Sequence, residues 1–532
     1  MNQGSGVCME WSLKPCTSCR ITMSDRLTSL PDELLIRILS LLPTKDVAVT
    51  SSLSRRLRRV FPFITSLDFD VSPISLCLKH PYAVERFPTF VTFVDNVLFA
   101  YKSHHLSKFR LQVGIGFLTR HVNGCVNPGQ PDELGCHQHC LPDLKPTHLH
   151  AWISFPLTLS GLRMLDLCIL VRDPGENQLP PAIFMCQTLE VLRLEVNLGL
   201  DQVSTMPSYC LPKLKLLRLC ASFVLNYNFL PRLVFSCPLL EDLTFIANTS
   251  CDHHATIHSL SLRKLCLILY RDLDRFSDSR VIANFQTPNI EYFEYTDNLA
   301  LEYSSPIMPC LVEAKLCILE TLKHEPLANS YLITLQLLRL VSCVQRLTLS
   351  EHFLQELDCD EVKAQLPLFP NLNHLTVDCA PENYFWDKIL WAFLNCSPVL
   401  ETLVFQMGLS DFFDEEDEKL IVCDVEQLNL ERDFFRAAHA IPSCCRYHLK
   451  RIVICEYFGL KREVTIIQFL LSHSLVLEEL VICRAQKEGG PRHPDPPNAH
   501  PSFPSQMPDQ ISVESALKNL PRASATCSIK VL

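Results

Sequence analysis

Cysteine and histidine side chains crowd together in one short stretch of the chain, GCHQHC, from Gly135 to Cys140. Thiolates and imidazoles are preferred ligands of Zn²⁺, so this stretch is a candidate zinc site. Ligands so close in sequence do not complete a tetrahedron without residues from elsewhere, and the flanking Pro131 and Pro142 are typical of a loop. A solvated loop is therefore favoured over a metal site.

The other candidates for chemistry carry weaker signals. Cys16 and Cys19 form a C-x-x-C pair, but the second pair that a structural zinc site needs does not follow nearby. Gly114 and Gly116 lack the third glycine of a dinucleotide-binding loop. The acidic run at 414–418 has no accompanying glycine turn, so a solvated loop is favoured over a calcium site. Because Ser-His-Asp, metalloprotease and P-loop patterns are also missing, the sequence predicts no catalytic residues, no metal and no cofactor.

Composition narrows the class of protein. The chain has 532 residues, of which 48% are hydrophobic, enough for a large core and more than one ordinary domain. A net charge of -10 disfavours a general nucleic-acid or anionic-membrane surface. The 26 cysteines are scattered singly and no hydrophobic signal segment is seen at the start, which favours reduced thiols in the cytoplasm or nucleus. Asp95 and Arg339 interrupt the most apolar segments, so no transmembrane span is expected.

The dominant pattern is a repeat, L-x-x-L-x-L or a close apolar substitute. Its copies are ITSLDF from Ile64, LSKFRL from Leu106, LRMLDL from Leu162, LEVLRL from Leu189, LKLLRL from Leu214, LEDLTF from Leu240, LRKLCL from Leu262, IEYFEY from Ile290, LVEAKL from Leu311, VQRLTL from Val344, LNHLTV from Leu372 and LETLVF from Leu400. The spacing is mostly roughly 21 to 33 residues, the range of leucine-rich repeats. Within each LxL both apolar side chains point to one face, and no unit buries them alone, so the units must stack.

These repeats predict an α/β fold, a solenoid of parallel strands with intervening helices. The asparagine position of the fuller repeat is occupied only by Asn197 and Asn248, which indicates an irregular solenoid. Short helices are expected before several strands, as in VFSCPLLEDLTF, AFLNCSPVLETLVF and LLSHSLVLEELVI. The cysteines in these segments are expected to pack against the next unit rather than to act as catalytic thiols.

An all-α segment is predicted ahead of the repeats. Pro31 suits the first turn of a helix in which apolar residues recur until Pro43, and Thr44 is a candidate N-cap for the next helix. Leu34, Ile38 and Leu42 recur at four-residue steps and form an apolar stripe. The two following short helices cover only part of this stripe, so apolar surface is left for a partner, although the periodicity alone also fits an ordinary helical hairpin.

The residues of this segment carry a family resemblance: LPDELL, ILSLLP, KDV and LSRR resemble a plant-type F-box. In that family the F-box docks on the Skp-type adaptor of a cullin-based ubiquitin ligase, and the rest of the chain recruits the substrate. The resemblance implies adaptor-binding roles for Leu30, Pro31, Leu34, Ile38, Leu39, Leu42, Pro43 and Val47. The chain departs from the family at Leu57, where a tryptophan is usual.

A second resemblance lies at the other end of the chain. HLKRIVICEYFG, EVTIIQFLLSHSLVLEELVI and LPRASATCSIKVL resemble the FBD module that closes many plant F-box leucine-rich-repeat proteins. The resulting division is a flexible extension at 1–22, an F-box at 23–63, a solenoid at 64–446 and an FBD-like module at 447–532. The module contains a proline-rich insertion at 486–510 that is expected to be disordered. Met23 is an alternative start.

Substrate recognition is expected on the outward positions of the repeat strands. Arg193 and Arg218 sit at the same point of successive units and should lie side by side. Two such charges repel unless an acid shares them, and either Glu195 or an acidic patch of a substrate can do so. The sequence therefore predicts a non-catalytic substrate receptor of a Skp-cullin-F-box ligase. The alternative is a repeat scaffold or small-ligand binder that does not engage the ligase.

Overall fold

The computed structural model describes most of the solenoid and the F-box. The described residues are 29–71, 81–113, 144–171, 177–224, 229–249, 253–271, 281–297, 302–303, 306–318, 330–350, 353–354, 357, 365–378, 386–406, 408–409, 441–457, 459, 461–484 and 510–532. Several predicted features lie outside them: the extension at 1–22 with Cys16 and Cys19, Met23, Gly114, Gly116, the stretch 135–140, the acidic run at 414–418 and the insertion apart from its last residue.

One parallel sheet of fifteen strands runs through the described chain, in the order β1-β2-β3-β4-β5-β6-β8-β10-β12-β13-β14-β15-β16-β17-β18. The remaining three strands form a second sheet in the order β11-β9-β7. The strands are β1 Ser66–Asp70, β2 Lys108–Val113, β3 Met164–Ile169, β4 Val191–Val196, β5 Leu216–Val224, β6 Asp242–Thr249, β7 His253–His258, β8 Lys264–Arg271, β9 Val281–Gln286, β10 Tyr292–Asp297, β11 Glu302–Tyr303, β12 Glu313–Ile318, β13 Arg346–Ser350, β14 His374–Asp378, β15 Thr402–Phe405, β16 Arg451–Tyr457, β17 Glu479–Arg484 and β18 Ser528–Val531.

The helices precede or connect these strands. They are α1 Asp32–Leu39, α2 Thr44–Leu53, α3 Arg55–Val60, α4 Pro81–Ala100, α5 Pro146–Leu157, α6 Asp201–Ser204, α7 Phe229–Phe235, α8 Ser330–Leu340, α9 Trp386–Cys396, α10 Ser443–Tyr447, α11 Lys461–His473 and α12 Gln510–Lys518, with 3₁₀ turns at Phe61–Phe63 and Pro181–Met185. α7, α9 and α11 each lead into the strand that follows, as the recurring segments predicted. None of the described helices is long and apolar enough to cross a membrane.

Every predicted repeat supplies one strand of the large sheet, and the FBD-like end supplies β16, β17 and β18. The two apolar residues of each LxL point into the core. On β4, for example, Leu192, Leu194 and Val196 are buried, and they lie in register with Leu217, Leu219 and Ala221 of β5. The alternation of leucines with polar residues thus sets both the strand and its orientation. The predicted α/β solenoid with an N-terminal all-α segment is confirmed.

The sheet of β7, β9 and β11 is a feature that the repeat pattern did not predict. These strands lie between the strands of the large sheet in the sequence and pair only with one another in the described chain. Their sequences, such as HHATIH and VIANFQ, carry no L-x-x-L-x-L. Phe285 of β9 is nevertheless buried, with its ring 5.2 Å from that of Phe293 on β10, so the small sheet covers part of the main core.

Asn197 occupies the asparagine position of its repeat and links two units. Its Nδ2 donates to the carbonyl of Val171 at 2.6 Å, and its Oδ1 accepts from the Val171 N–H at 3.1 Å. Both backbone groups follow β3 on a residue that is only 2% exposed. The side chain therefore satisfies backbone groups that the sheet leaves unpaired. Asn248 lies within β6.

Replacing Asn197→Ala leaves both Val171 groups without a partner. We expect the free energy of unfolding to fall by about 1–3 kcal/mol, measured by chemical denaturation of the full chain. Asn395→Ala is the matched control, because the Asn395 amide is exposed and donates only to the Trp391 carbonyl within its own helix. An equal loss in both variants would contradict this role for Asn197.

Candidate functional site

The first candidate surface is carried by helix α1. Pro31 is its cap residue, with φ of -52°, and Asp32 begins the first turn. The sequence predicted that the helix continues to Pro43, but it ends at Leu39. Leu42 lies in the turn that follows, and its N–H donates to the Leu39 carbonyl at 3.1 Å. Leu42 is exposed to a similar extent as Leu34 and Ile38, so it belongs to the apolar stripe although the helix ends before it.

The apolar stripe of α1 is exposed. Leu34, Ile38 and Leu42 expose 43%, 39% and 38% of their surface, while Leu35 and Leu39 on the opposite side are buried. Three further apolar side chains of this region are more exposed still: Leu41, Val49 and Leu53. Large apolar side chains grouped on a surface mark interaction sites in soluble proteins.

Not all of the residues implied as adaptor-binding lie on this surface. Pro31 and Pro43 are exposed and Leu30 is partly buried, but Leu39 and Val47 are only 4% and 1% exposed. Leu39 and Val47 therefore lie in the interior of the helical unit rather than on the exposed stripe. The family resemblance could not separate these two groups, because it marks residues by position and not by exposure.

Helix α3 completes the N-terminal helical unit, which consists of α1, α2 and α3. Ser54 caps it by accepting from the Arg56 N–H at 3.2 Å. The Arg56 guanidinium donates to the Leu30 carbonyl at 2.6 Å and to Asp32 Oδ1 at 2.7 Å, which ties α3 to the start of α1. Leu57, at the position where a tryptophan is usual, is 5% exposed and fills the interior. Leucine, although smaller than tryptophan, is thus packed in the interior of the helical unit at this position.

Two hydroxyl groups join the helical unit to the solenoid. Strand β1 is an edge strand of the large sheet. Thr44 is completely buried, and its Oγ1 accepts from the Asp68 N–H of β1 at 2.7 Å. Ser40 Oγ accepts from the Thr65 N–H at 2.9 Å. Thr44 is thus not the cap of α2, a place that Pro43 takes, and its hydroxyl serves the junction instead.

Thr44→Val removes the acceptor but keeps the shape of the side chain. The partly buried Asp68 N–H then loses its acceptor on Thr44, so we expect a loss of about 1 kcal/mol in the free energy of unfolding. Hydrogen exchange at the Asp68 amide should accelerate in the same variant. Thr44→Ser retains the hydroxyl and should restore most of both quantities; if Ser and Val behave alike, the hydrogen bond does not stabilise the junction.

The second candidate surface is the outward face, which we define as the side of the fifteen-stranded sheet whose side chains point away from the main core. Its middle row, in register from β1 to β18, is Asp68, Arg110, Asp166, Arg193, Arg218, Thr244, Cys266, Glu294, Lys315, Thr348, Thr376, Val404, Val453, Val481 and Lys530. Charged residues fill the row from β1 to β5, so this end of the sheet is the charged one.

Arg193 and Arg218 are register partners on β4 and β5, as the sequence predicted. The acid nearest to Arg193 is Asp166 of β3, with 3.5 Å between Nη1 and Oδ2. Glu195 lines the same groove as both arginines. Asp166, a residue that the sequence pattern did not single out, is thus one internal source of negative charge beside Arg193.

Further along the row, Arg110 is shared by two carboxylates. It donates to Asp68 at 2.9 Å and to Asp70 at 3.2 Å. Arg110, Asp166, Arg193, Glu195 and Arg218 together line a groove of about 240 Å³. This groove brings the two predicted target-binding residues together in one concavity.

Three thiols on the outward face, those of Cys168, Cys220 and Cys266, do not offer a nucleophile. Burial raises the pKa of Cys168, Cys220 and Cys266 well above that of a free thiol, and nearby carboxylates add to the shift. Cys266 donates its S–H to Glu294 at 3.2 Å. These thiols stay protonated at neutral pH, which suits packing and not attack. Within the described residues, no three histidine, cysteine or acidic side chains are grouped to hold a metal ion.

Comparison with known proteins agrees with both halves of this architecture. An F-box domain profile matches residues 27–61, and the leucine-rich-repeat profile of the FBD-associated F-box protein At5g56370 matches residues 149–377. The F-box/LRR-repeat protein At3g59210 of Arabidopsis thaliana is 32% identical over 400 residues, which cover 72% of this chain and 73% of the relative. At4g14103, also an F-box/LRR-repeat protein of that plant, is 31% identical over 395 residues, covering 72% and 91%.

Proposed function

Since this chain belongs to the F-box/LRR-repeat family, we propose that it is the substrate-recognition subunit of a Skp-cullin-F-box ubiquitin ligase. The F-box domain implies binding to a Skp-type adaptor and, through it, to a cullin. The solenoid is then the part that takes the target protein. A receptor of this kind contains no catalytic residues, because the other subunits carry out the ubiquitin transfer.

The observation that carries the proposal is the exposed stripe of Leu34, Ile38 and Leu42 above a buried layer of Leu35 and Leu39. The buried layer already stabilises the helical unit, so the stripe is not needed for its core. Protein interfaces draw most of their binding energy from a few apolar anchors of this kind. A helical groove or helix face on the adaptor would cover the stripe and remove its apolar surface from water.

The junction at Thr44 and Ser40 supports the second half of the proposal. A receptor accelerates transfer by holding its target near the catalytic subunit, and the gain depends on how well the two are held in place. Two partly buried hydrogen bonds, from Thr44 to Asp68 and from Ser40 to Thr65, tie the adaptor-facing helices to the start of the target-facing sheet. We also infer that the protein works in the cytoplasm or nucleus, where thiols such as Cys220 stay reduced.

Ile38→Arg tests adaptor binding. It places a charge in the middle of the stripe, so we expect the affinity for the adaptor to fall by at least ~2 kcal/mol, or roughly 30-fold. The measurement is a titration of the purified Skp-type adaptor against the full chain. Phe235→Arg is the matched control: Phe235 ends helix α7 of the solenoid with 79% of its surface exposed, and the same charge there should leave adaptor affinity unchanged.

Equal adaptor affinity in the wild type and Ile38→Arg would move the interface away from the stripe. Failure of the wild-type chain to recover adaptor and cullin from cells would favour the repeat scaffold instead. Circular dichroism of Ile38→Arg guards against a folding defect, which is not expected because Ile38 is already exposed.

A further inference from the structure

Two thiols lie side by side near the carboxyl ends of β16 and β17. The direct register between these strands runs to Ile454 and Ile482, so Cys455 comes next to Cys483. Ile454 and Ile482 are completely buried, whereas both cysteines are partly exposed, so the two thiols lie on the outward face. Neighbouring strands are about 4.8 Å apart, which is within the range of Cα separations that a disulfide bond spans.

A β-bulge lies at the same point of the sheet. Pairing resumes at Tyr457 and Arg484, so Cys455 and Glu456 together lie opposite the single residue Cys483. Glu456 has a positive φ of 50°, which is uncommon for a residue other than glycine. Backbone strain of this kind persists only where the surroundings fix it, and both bulges and strained residues concentrate at functional sites.

Two glycines hold the bulge in place. Gly408, with φ of 94°, allows the close approach of the bulge, because a Cβ atom there would lie 3.0 Å from the Glu456 carbonyl oxygen. Gly459 has φ of 85°, and its N–H donates to the buried Glu463 carboxylate at 2.7 Å. Contacts outside the two thiols therefore fix the backbone beside Cys455.

The two thiols also interact directly. Burial raises the pKa of Cys455 to about 11, and the charge of an ionised Cys483 and the hydrogen bond between the two side chains add to this increase. Cys455 therefore stays protonated at neutral pH, and its S–H can stabilise a thiolate on Cys483. In such a pair, Cys483 is the sulfur that attacks and Cys455 is the sulfur that completes the bond.

We propose that Cys455 and Cys483 form a redox site that a small disulfide, such as oxidised glutathione, converts into an intramolecular disulfide bond. The Cys483 thiolate attacks one sulfur of the oxidant, which forms a mixed disulfide and releases one glutathione thiolate. Cys455 then loses its proton and attacks the Cys483 sulfur, which releases the second glutathione thiolate. The protons of the two protein thiols end on the two glutathione molecules. The protein dithiol is thus oxidised, and one small disulfide is reduced to two thiols.

This site goes beyond the proposed function and does not depend on it. Disulfides in the cytoplasm and nucleus are usually transient or redox-sensing, so a bond of this kind is reversible there. It would join β16 to β17 on the outward face of the FBD-like end. The state of this part of the surface would then depend on the ratio of oxidised to reduced glutathione.

Oxidation of the full chain by oxidised glutathione, without denaturant, tests the site. Free thiols are then alkylated, and mass spectrometry of the digested protein identifies the cysteines that are joined. We expect peptides linked through Cys455 and Cys483, and dithiothreitol should restore both thiols. Cys444 and Cys445 are the internal control: they also contact each other, but they are only 0% and 1% exposed and should stay reduced.

Two serine variants test the order of attack. Cys455→Ser should trap the mixed disulfide on Cys483, because the second sulfur is missing. Cys483→Ser should take up about tenfold less glutathione, since the remaining Cys455 is a buried thiol that stays protonated. Alkylation of Cys444 and Cys445 before oxidation reports any loss of folding in either variant.

A wild-type chain without the link between Cys455 and Cys483 overturns the proposal, and so does one that keeps glutathione bound as a mixed disulfide. A link that forms only after Cys444 and Cys445 have become reactive also contradicts it, because oxidation would then require unfolding. Equal uptake of glutathione by the two serine variants would overturn the assignment of Cys483 as the attacking sulfur. None of these measurements involves the adaptor, so they are independent of the test of adaptor binding.

Discussion

The structure depends on one constraint: a single repeat cannot bury its own leucines. Each strand presents its apolar side chains to one face, and only the next strand in register completes their burial, as Leu192 and Leu217 show. Stacking therefore continues until something other than a repeat covers the end. The need to bury apolar side chains applies only to the inward positions of each strand. The outward positions are not bound by it and carry different residue types from strand to strand, so a recognition surface can be built there.

The same constraint explains the place of the F-box. A sheet that grows by stacking ends in a strand with unpaired backbone groups, and such edges invite association with other chains. Here β1 is that edge, and Thr44 and Ser40 supply acceptors to the N–H groups of Asp68 and Thr65. The same two hydrogen bonds cover backbone groups at this edge and hold the F-box against the sheet. The contacts that place the exposed stripe relative to the sheet are thus the same contacts that cover the edge of the sheet.

The sequence predicted the strands well because the period and the alternation are local signals. It did not predict β7, β9 and β11, whose residues carry no repeat and whose pairing is decided by the surrounding units. It placed Arg193 and Arg218 side by side correctly, since register follows from the leucines. It did not find Asp166 as the acid beside Arg193 or the role of Thr44, because both depend on how far a side chain reaches between elements. Those contacts exist only after the units have stacked.

The charged end of the outward face combines charges that are paired within the sheet with like charges that lie side by side. Arg110 is paired with Asp68 and Asp70, and Lys108 lies 3.7 Å from Asp68, so these charges are paired within the sheet. Two strands further on, the row places Arg193 beside Arg218, between Asp166 on β3 and Thr244 on β6. The cost of placing them side by side is local, because the leucines beneath Arg193 and Arg218 are fully packed, so the solenoid tolerates it.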